Sequence, residues 1–296
     1  MNCLVTGGAG FIGSVLVDNL INKKRSVIVI DNESAEENEK FYWNKKASNY
    51  KYDICDYQKI ESLFLDVECV FHLAAESRIQ LAIKDPSNAF NVNCIGTLNV
   101  MQACKKYKVK KIIYSSTSAY YGIKNKIPHS EDMERDCLNP YSVSKVAGED
   151  IVKMYQSLYD MQTIIFRYFN VYGERQPTKG QYAPVVGLFQ KMKNEGRKMT
   201  VVGDGLARRD YTHVQDVVNA NILAIQKKHK GRIFNIGTGV NHSILDVVKM
   251  VDGPFEFIPP RKGEAKETLA CINAAIKNLG WIPKINLQDW IEKSKK

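Results

Sequence analysis

Leu4-Val5-Thr6-Gly7-Gly8-Ala9-Gly10-Phe11-Ile12-Gly13 is the stretch that decides the fold. Three residues of buried-strand character run into a glycine turn, and an apolar helical period follows through Val15, Leu16, Leu20 and Ile21. Glycine lets a chain turn tightly and bring its backbone close to a diphosphate, which the free N–H groups of the following helix then bind. Strand, glycine turn and helix in this order predict the first βα unit of a doubly wound parallel α/β sheet, a Rossmann fold. Gly7, Gly10, Phe11, Ile12 and Gly13 are expected at a dinucleotide.

Outward from this turn the pattern repeats. Ser26–Ile30 reads as the second strand and ends in Asp31-Asn32. A carboxylate at that tip accepts both hydroxyls of an adenosine ribose and repels a 2′-phosphate, so NAD is expected rather than NADP. Residues 32–49 are polar and lysine-rich and read as a surface loop or short helix. Residues 50–54 are expected to form the third strand, with Asp53 and Ile54 at its C-terminal end, where ligands of open α/β sheets bind. The fourth, 68–75, ends in Leu73-Ala74-Ala75, whose small side chains leave room for a flat ligand. One long helix is expected over 86–107. A fifth strand, 111–115, ends in the hydroxyl-rich run Ser115-Ser116-Thr117-Ser118. Asn139-Pro140 opens a helix through Tyr159, with proline placed as a helix starter, and Gln162–Tyr168 is a further strand.

Beyond Tyr168 the alternation loosens. A helix is expected over 184–195, and Arg232–Ile236 is expected to return to the main sheet. The dinucleotide-binding unit is therefore assigned to 1–169 with 211–239, and a smaller interleaved substrate region to 170–210 and 240–296.

Composition narrows the class. The 296 residues are 44% hydrophobic and 25% charged, as in an ordinary globular protein. No apolar run approaches membrane-spanning length, and Met1 runs almost directly into the first strand, so no cleavable leader is expected. Seven cysteines, odd in number and without a C-x-x-C pair, suggest reduced thiols in a cytoplasm, and five histidines show no metal-ligand spacing. The net charge of +10 gathers in runs such as Lys105-Lys106, Lys110-Lys111 and Lys227-Lys228. These read as solvated lysines near helix ends, since no nucleic-acid recognition motif accompanies them.

Tyr141-Ser142-Val143-Ser144-Lys145 carries the chemistry. Positions i and i+4 of a helix lie one above the other, so an ammonium can sit beside the phenol oxygen. A fixed cation favours phenolate and lets tyrosine accept a proton from a substrate hydroxyl.

Together, Gly7-x-x-Gly10-x-x-Gly13, Asp31, Ser115-Ser116-Thr117 and Tyr141-x-x-x-Lys145 resemble the extended short-chain dehydrogenase/reductase superfamily, and especially its nucleotide-sugar epimerases. Arg167-Tyr168-Phe169-Asn170, Arg209-Asp210-Tyr211 and Arg261-Lys262-Gly263-Glu264 extend the likeness over nearly the whole chain. The resemblance implies Tyr141 as base and acid, Lys145 as the cation that lowers its pKa and holds the nicotinamide ribose, and Thr117 at the reacting oxygen. It implies NAD against Gly7, Gly10, Phe11, Ile12, Gly13, Asp31, Asn32, Asp53, Ile54, Leu73, Ala74, Ala75, Ser115, Tyr141, Lys145 and Tyr168. It implies a UDP-sugar against Thr117, Asn170, Tyr182, Arg209, Arg261 and Glu264. The expected reaction is 4-epimerisation of a UDP-hexose or UDP-N-acetylhexosamine through a transient 4-keto sugar. Ser118 and Ala119 stand where related dehydratases and decarboxylases carry carboxylates, so elimination of water is not expected. The family's usual Asp and Lys near the last helix are replaced here by Cys271 and by Ala274 or Ala275.

In family members restricted to glucose and galactose a tyrosine closes the acetamido pocket, and the matching position here is Thr268. The resemblance also implies a homodimer through the helices 86–107 and Pro140–Tyr159. The alternatives are another nucleotide-sugar epimerase, a net NAD-dependent oxidoreductase, or a cofactor-sensing or RNA-binding protein on the same fold.

Overall fold

Strands and helices alternate from the N-terminus through β1 (Asn2–Thr6), β2 (Ser26–Ile30), β3 (Ser48–Tyr50), β4 (Cys69–His72), β5 (Lys111–Thr117) and β6 (Gln162–Tyr168). After them come β7 (Asn170–Tyr172), β8 (Met199–Val202), β9 (Arg208–His213) and β10 (Arg232–Ile236). The computed structural model describes residues 1–227 and 229–294; Lys228 of the basic run, with 295–296, lies outside them. β1 to β6 and β10 form a seven-stranded sheet in the order β10-β6-β5-β4-β1-β2-β3, parallel throughout. The order reverses at β1, which has β2 on one side and β4 on the other, and such a switch point opens a crevice at the strand ends. Arg232–Ile236 does return to this sheet.

Because strand side chains alternate, each strand feeds two cores. Val5, Phe71, Ile113 and Phe166 meet Leu16, Val17 and Leu20 of the helix Phe11–Asn22 on one face. Leu4, Val70, Ile112 and Ile165 meet Val100 and Met101 on the other. Trp281, fully buried, returns to the first cluster and donates its indole N–H to the Asp216 carbonyl at 2.8 Å. A separate cluster of Tyr172, Val186, Phe189, Tyr211, Val247 and Leu287 lies under two small sheets. In these, β11 (Asn241–Ser243) pairs with β9 and β9 with β7, while β12 (Phe255–Ile258) pairs with β8.

Several elements differ from the sequence reading. The third strand is Ser48–Tyr50 rather than 50–54. The chain turns at Asp53, whose Oδ1 accepts from the Cys55 N–H at 2.7 Å, so Asp53 and Ile54 reach the strand ends from a turn. The expected helix 86–107 is one helical path in three parts: Pro86–Phe90, a π-helical segment Asn91–Gly96, and Thr97–Lys106. The widened turn lets Asn93 point its amide inward, where Nδ2 donates to the Glu76 carbonyl at 3.0 Å and to Ser144 Oγ at 2.9 Å. Among the basic runs, Lys111 is buried: its ammonium donates to the carbonyls of Ala224, Ile225 and Lys227 and closes the C-terminal end of the helix Val214–Gln226.

Candidate functional site

The residues named from the sequence converge on one cavity of about 470 Å³ at the switch point. Its cofactor half is built from backbone. Gly7 has φ +68°, and a Cβ there would lie 2.7 Å from the Ala74 N. One at Gly13 would lie 2.0 Å from the Gly7 carbonyl oxygen, so the turn packs on itself and on the end of β4. Gly10 caps the helix Phe11–Asn22 with no side chain on its leading N–H groups, and Gly10, Phe11, Ile12 and Gly13 all face the cavity. This cradle suits a diphosphate.

At the end of β2, Asp31 Oδ2 accepts from the Ala9 N–H at 3.0 Å and Oδ1 from the Glu33 N–H at 2.8 Å. Burial pushes its carboxyl upward, and the N–H groups of Glu33, Ala9 and Gly10 draw it back. Asn32 donates to Asp53 at 2.9 Å. Ile54, Leu73, Ala74 and Ala75 complete the wall. Ser115 donates to Tyr168 at 3.1 Å, and the Tyr168 hydroxyl also accepts from Asn221 at 2.8 Å.

Tyr141, Lys145 and Thr117 lie deeper in the same cavity. The helix Pro140–Tyr159 starts with a capping box in which Asn139 accepts from Ser142 N–H at 2.9 Å, which sets Tyr141 on the first turn. The end of β5 is held from below by a buried pair: Arg167 donates to both Glu149 oxygens at 3.0 and 2.9 Å, and Ser116 donates to the same carboxylate at 2.6 Å.

The electrostatics depart from the expected pairing of Lys145 with the phenol. The Lys145 ammonium rests 4.4 Å from the centroid of the Tyr114 ring, and burial pushes it down to about 7. Burial pushes the Tyr141 phenol upward; the Thr117 hydroxyl and the charge of Arg78 draw it down, and Glu76 opposes them. The i,i+4 spacing brings the two side chains to one cavity, but Tyr114 takes the ammonium.

The substrate half is built from polar and charged side chains of β7, β9 and the loops beside them. Arg209 and Arg261 lie 3.6 and 3.9 Å from Glu264, and Arg261 also donates to the Gln181 carbonyl at 2.6 Å and lies 5.3 Å from the Tyr182 ring centroid. Asn170 donates to the Asp210 carbonyl at 3.2 Å and approaches Thr268 Oγ1 at 3.5 Å. Buried Asp210 accepts from the N–H groups of Thr238, Gly239 and Ala270 at 2.7, 2.9 and 3.1 Å. It thereby pins the Thr268 segment despite the Cys271 and Ala274 departures. Arg208 is engaged elsewhere, with Asn241 at 2.8 Å and Asp246 at 3.6 Å.

Sequence reasoning missed several lining residues. Asn38 and Phe41 come from the stretch 32–49, read as a surface loop or short helix, which closes over the glycine turn and is tied across by the Lys179 N–H to the Glu37 carbonyl at 3.1 Å. Nothing periodic marks that loop. Ser77, Arg78 and Gln80 follow the end of β4, and Gln80 reaches the Lys262 carbonyl at 3.1 Å. Their position just past a strand end at the switch point was the available signal.

Sheet, glycine cradle and cavity define a dinucleotide-binding α/β enzyme. The sequence model of the NAD dependent epimerase/dehydratase family matches residues 3–237, and the chain belongs to that family. Its cofactor is NAD. It is 37% identical over 298 residues to a putative UDP-glucose 4-epimerase of Methanocaldococcus jannaschii, covering 98% of this chain and 96% of that one. The crystal structure of UDP-glucose 4-epimerase from Thermotoga maritima with UDP-glucose superimposes with a TM-score of 0.93 at 35% identity, covering 100% of both chains. UDP-N-acetylglucosamine 4-epimerase from Methanobrevibacter ruminantium in complex with UDP-N-acetylmuramic acid gives 0.91 at 29%, covering 99% and 96%.

Proposed function

We propose that this enzyme interconverts the C4 epimers of a UDP-hexose or UDP-N-acetylhexosamine through a transient 4-keto sugar. The observation that carries the reading is that Tyr141 and Thr117 share a cavity with both the glycine cradle and the Arg209, Arg261 and Glu264 cluster. Tyr141 takes the proton of the C4 hydroxyl and later returns it, while the Thr117 hydroxyl hydrogen-bonds the reacting oxygen. Bound NAD supplies the reversible oxidation at C4, and its positive ring adds to the stabilisation of a phenolate. Gly7, Gly10 and Gly13 hold its diphosphate, Asp31 its adenosine ribose, and Lys145 its nicotinamide ribose. Arg209, Arg261 and Asn170 anchor the substrate diphosphate, Glu264 its ribose and Tyr182 its base, so that the sugar stays free to turn over.

Ser118 and Ala119 line the cavity without a carboxyl, which favours epimerisation over the family's dehydration chemistry. Thr268, also lining it, leaves room for an acetamido group, so the UDP-GlcNAc/UDP-GalNAc pair is the preferred substrate within this reading. The test is incubation of the purified protein with a panel of UDP-sugars and no added cofactor, with the product epimers resolved. Net change in nicotinamide absorbance during turnover would assign a simple oxidoreductase instead.

The unit assignment of 1–169 with 211–239 is part of the same proposal; apart from β9, which straddles 211, it separates the large sheet from the small ones. A homodimer through the helices around 86–107 and Pro140–Tyr159 is supported by exposed Phe90, Ile95, Met154, Leu158 and Tyr159. A cytoplasmic location is supported by seven free cysteines. No helix among the described residues is long and apolar enough to cross a membrane.

A further inference from the structure

Asn139 is buried at the start of the helix that carries Tyr141, and it lines the cavity. Both ends of its amide are in use. Oδ1 accepts from the Ser142 N–H at 2.9 Å and caps the helix, while Nδ2 donates at 2.8 Å to the carbonyl of Gly263, on the loop between Arg261 and Glu264. This pairing fixes the orientation of the amide, because turning it over would set its NH₂ against an N–H and its carbonyl against a carbonyl.

The cap alone needs no amide. Serine and aspartate satisfy the leading N–H groups of a helix as well as asparagine does. A carboxylate, however, has no proton to give the Gly263 carbonyl, and a serine hydroxyl stops one bond short of the place of Nδ2. The loop is shaped to meet the amide: Gly263 has φ +77°, and a Cβ there would lie 3.3 Å from Asn139 Cβ, so its backbone lies against the helix start. On one side of Gly263 the Lys262 carbonyl accepts from Gln80 at 3.1 Å. On the other is Glu264, the carboxylate that Arg209 and Arg261 approach at 3.6 and 3.9 Å.

We propose that Asn139 is a positioning residue that fixes the substrate anchors relative to Tyr141, its amide oxygen setting the helix turn of the phenol and its amide nitrogen the loop of Arg261 and Glu264. The proposal rests on the reading of that loop as the holder of the UDP moiety. A nucleotide docking on Arg261 and Glu264 meets a loop already ordered, and its sugar is presented at a separation from the phenol that exists before binding. Affinity gains because less has to be ordered when the ligand arrives.

The test uses the holoenzyme as purified, with UDP binding measured by calorimetry and steady-state kinetics measured with the UDP-sugar. Asn139→Ser and Asn139→Asp keep the cap and lose the loop contact. Expected are a melting temperature and NAD content at the wild-type level, a Kd for UDP and a KM for the UDP-sugar raised about fivefold, and kcat within about twofold of wild type. Asn139→Asp, equal in shape to the native residue, should show the larger rise, since its carboxylate faces the Gly263 carbonyl, and it gives an independent reading if Asn139→Ser does not fold. Asn139→Ala loses the cap as well and should add a lower melting temperature and a lower kcat. Serine and aspartate variants that match the wild type in both Kd and KM overturn the proposal, and so does a fall in their kcat at unchanged KM, which would make Asn139 a cap for the tyrosine helix and nothing more. Binding of UDP needs no turnover, so a wild type that binds UDP without epimerising any UDP-sugar would defeat the proposed reaction and leave this comparison readable. A wild type that binds no UDP overturns both.

Discussion

The two halves of the cavity hold their ligands by different physics. On the cofactor side the charged groups are satisfied locally: Asp31 by backbone N–H groups and Asp53 by Asn32 and Cys55 N–H. What a diphosphate meets is a cradle of backbone shaped by glycines, of which Gly7 and Gly13 tolerate no side chain. On the substrate side Arg209, on β9, and Arg261, on a loop, compete for one carboxylate, Glu264. A ligand there exchanges ion pairs, a process that salt screens, while the glycine cradle offers only fixed dipoles. The contrast suits an enzyme that keeps its cofactor through each cycle and releases its substrate. NAD should therefore co-purify, and activity should need no added cofactor.

The sharpest way to separate the halves is Tyr141→Phe. Loss of the phenol should lower kcat by about 10³-fold while the NAD content per chain, read by absorbance of the denatured supernatant, stays at the wild-type level. If NAD is lost too, the halves are not independent. Gly13→Ala attacks the other side, because its Cβ would meet the Gly7 carbonyl oxygen at 2.0 Å. Expected are an apo-protein and a loss of about 2–3 kcal/mol in stability, measured by thermal and denaturant unfolding. A variant that melts like wild type and retains NAD would contradict the packing described for the turn.

Arg261→Ala should raise KM for the UDP-sugar by roughly tenfold with kcat little changed, and should flatten the salt dependence of KM. An equal fall in kcat would place Arg261 in the chemical step. The smallest effect expected is that of Thr268→Tyr, which should reduce kcat/KM for the acetylated pair by about tenfold and leave the plain hexoses nearly unaffected. Wild-type enzyme that turns over only the plain pair would defeat the assignment of this gate.

How far the sequence could be read follows the same division. The first βα unit was legible because its information is local: a strand, a glycine turn and a helical period lie within about twenty residues. Asp31, Thr117, Tyr141 and Lys145 were found by their places at strand or helix ends. Less was legible where geometry depends on partners distant in the chain. The widened turn at Asn91–Gly96 answers to Ile54, Glu76 and Ser144, since a Cβ on Gly96 would lie 2.5 Å from Ile54 Cδ1. The loop over the glycine turn has no periodicity, yet its backbone is tied to Lys179.

Motif and spacing determined by themselves the doubly wound sheet, the position of the dinucleotide cradle, the preference for NAD and the resemblance to epimerases, because each rests on residues adjacent in the chain or one helical turn apart. Tertiary structure alone decided where the charges of the site act. Spacing put Tyr141 and Lys145 on one face of a helix, but whether an ammonium faces a phenol or an aromatic ring depends on what the neighbouring strand presents, and β5 presents Tyr114. Only the folded chain brings Arg78, from the turn after β4, into the cavity that holds Tyr141. Burial and charge are properties of the whole packed arrangement, so the ionisation of a site is written in contacts that no local pattern contains.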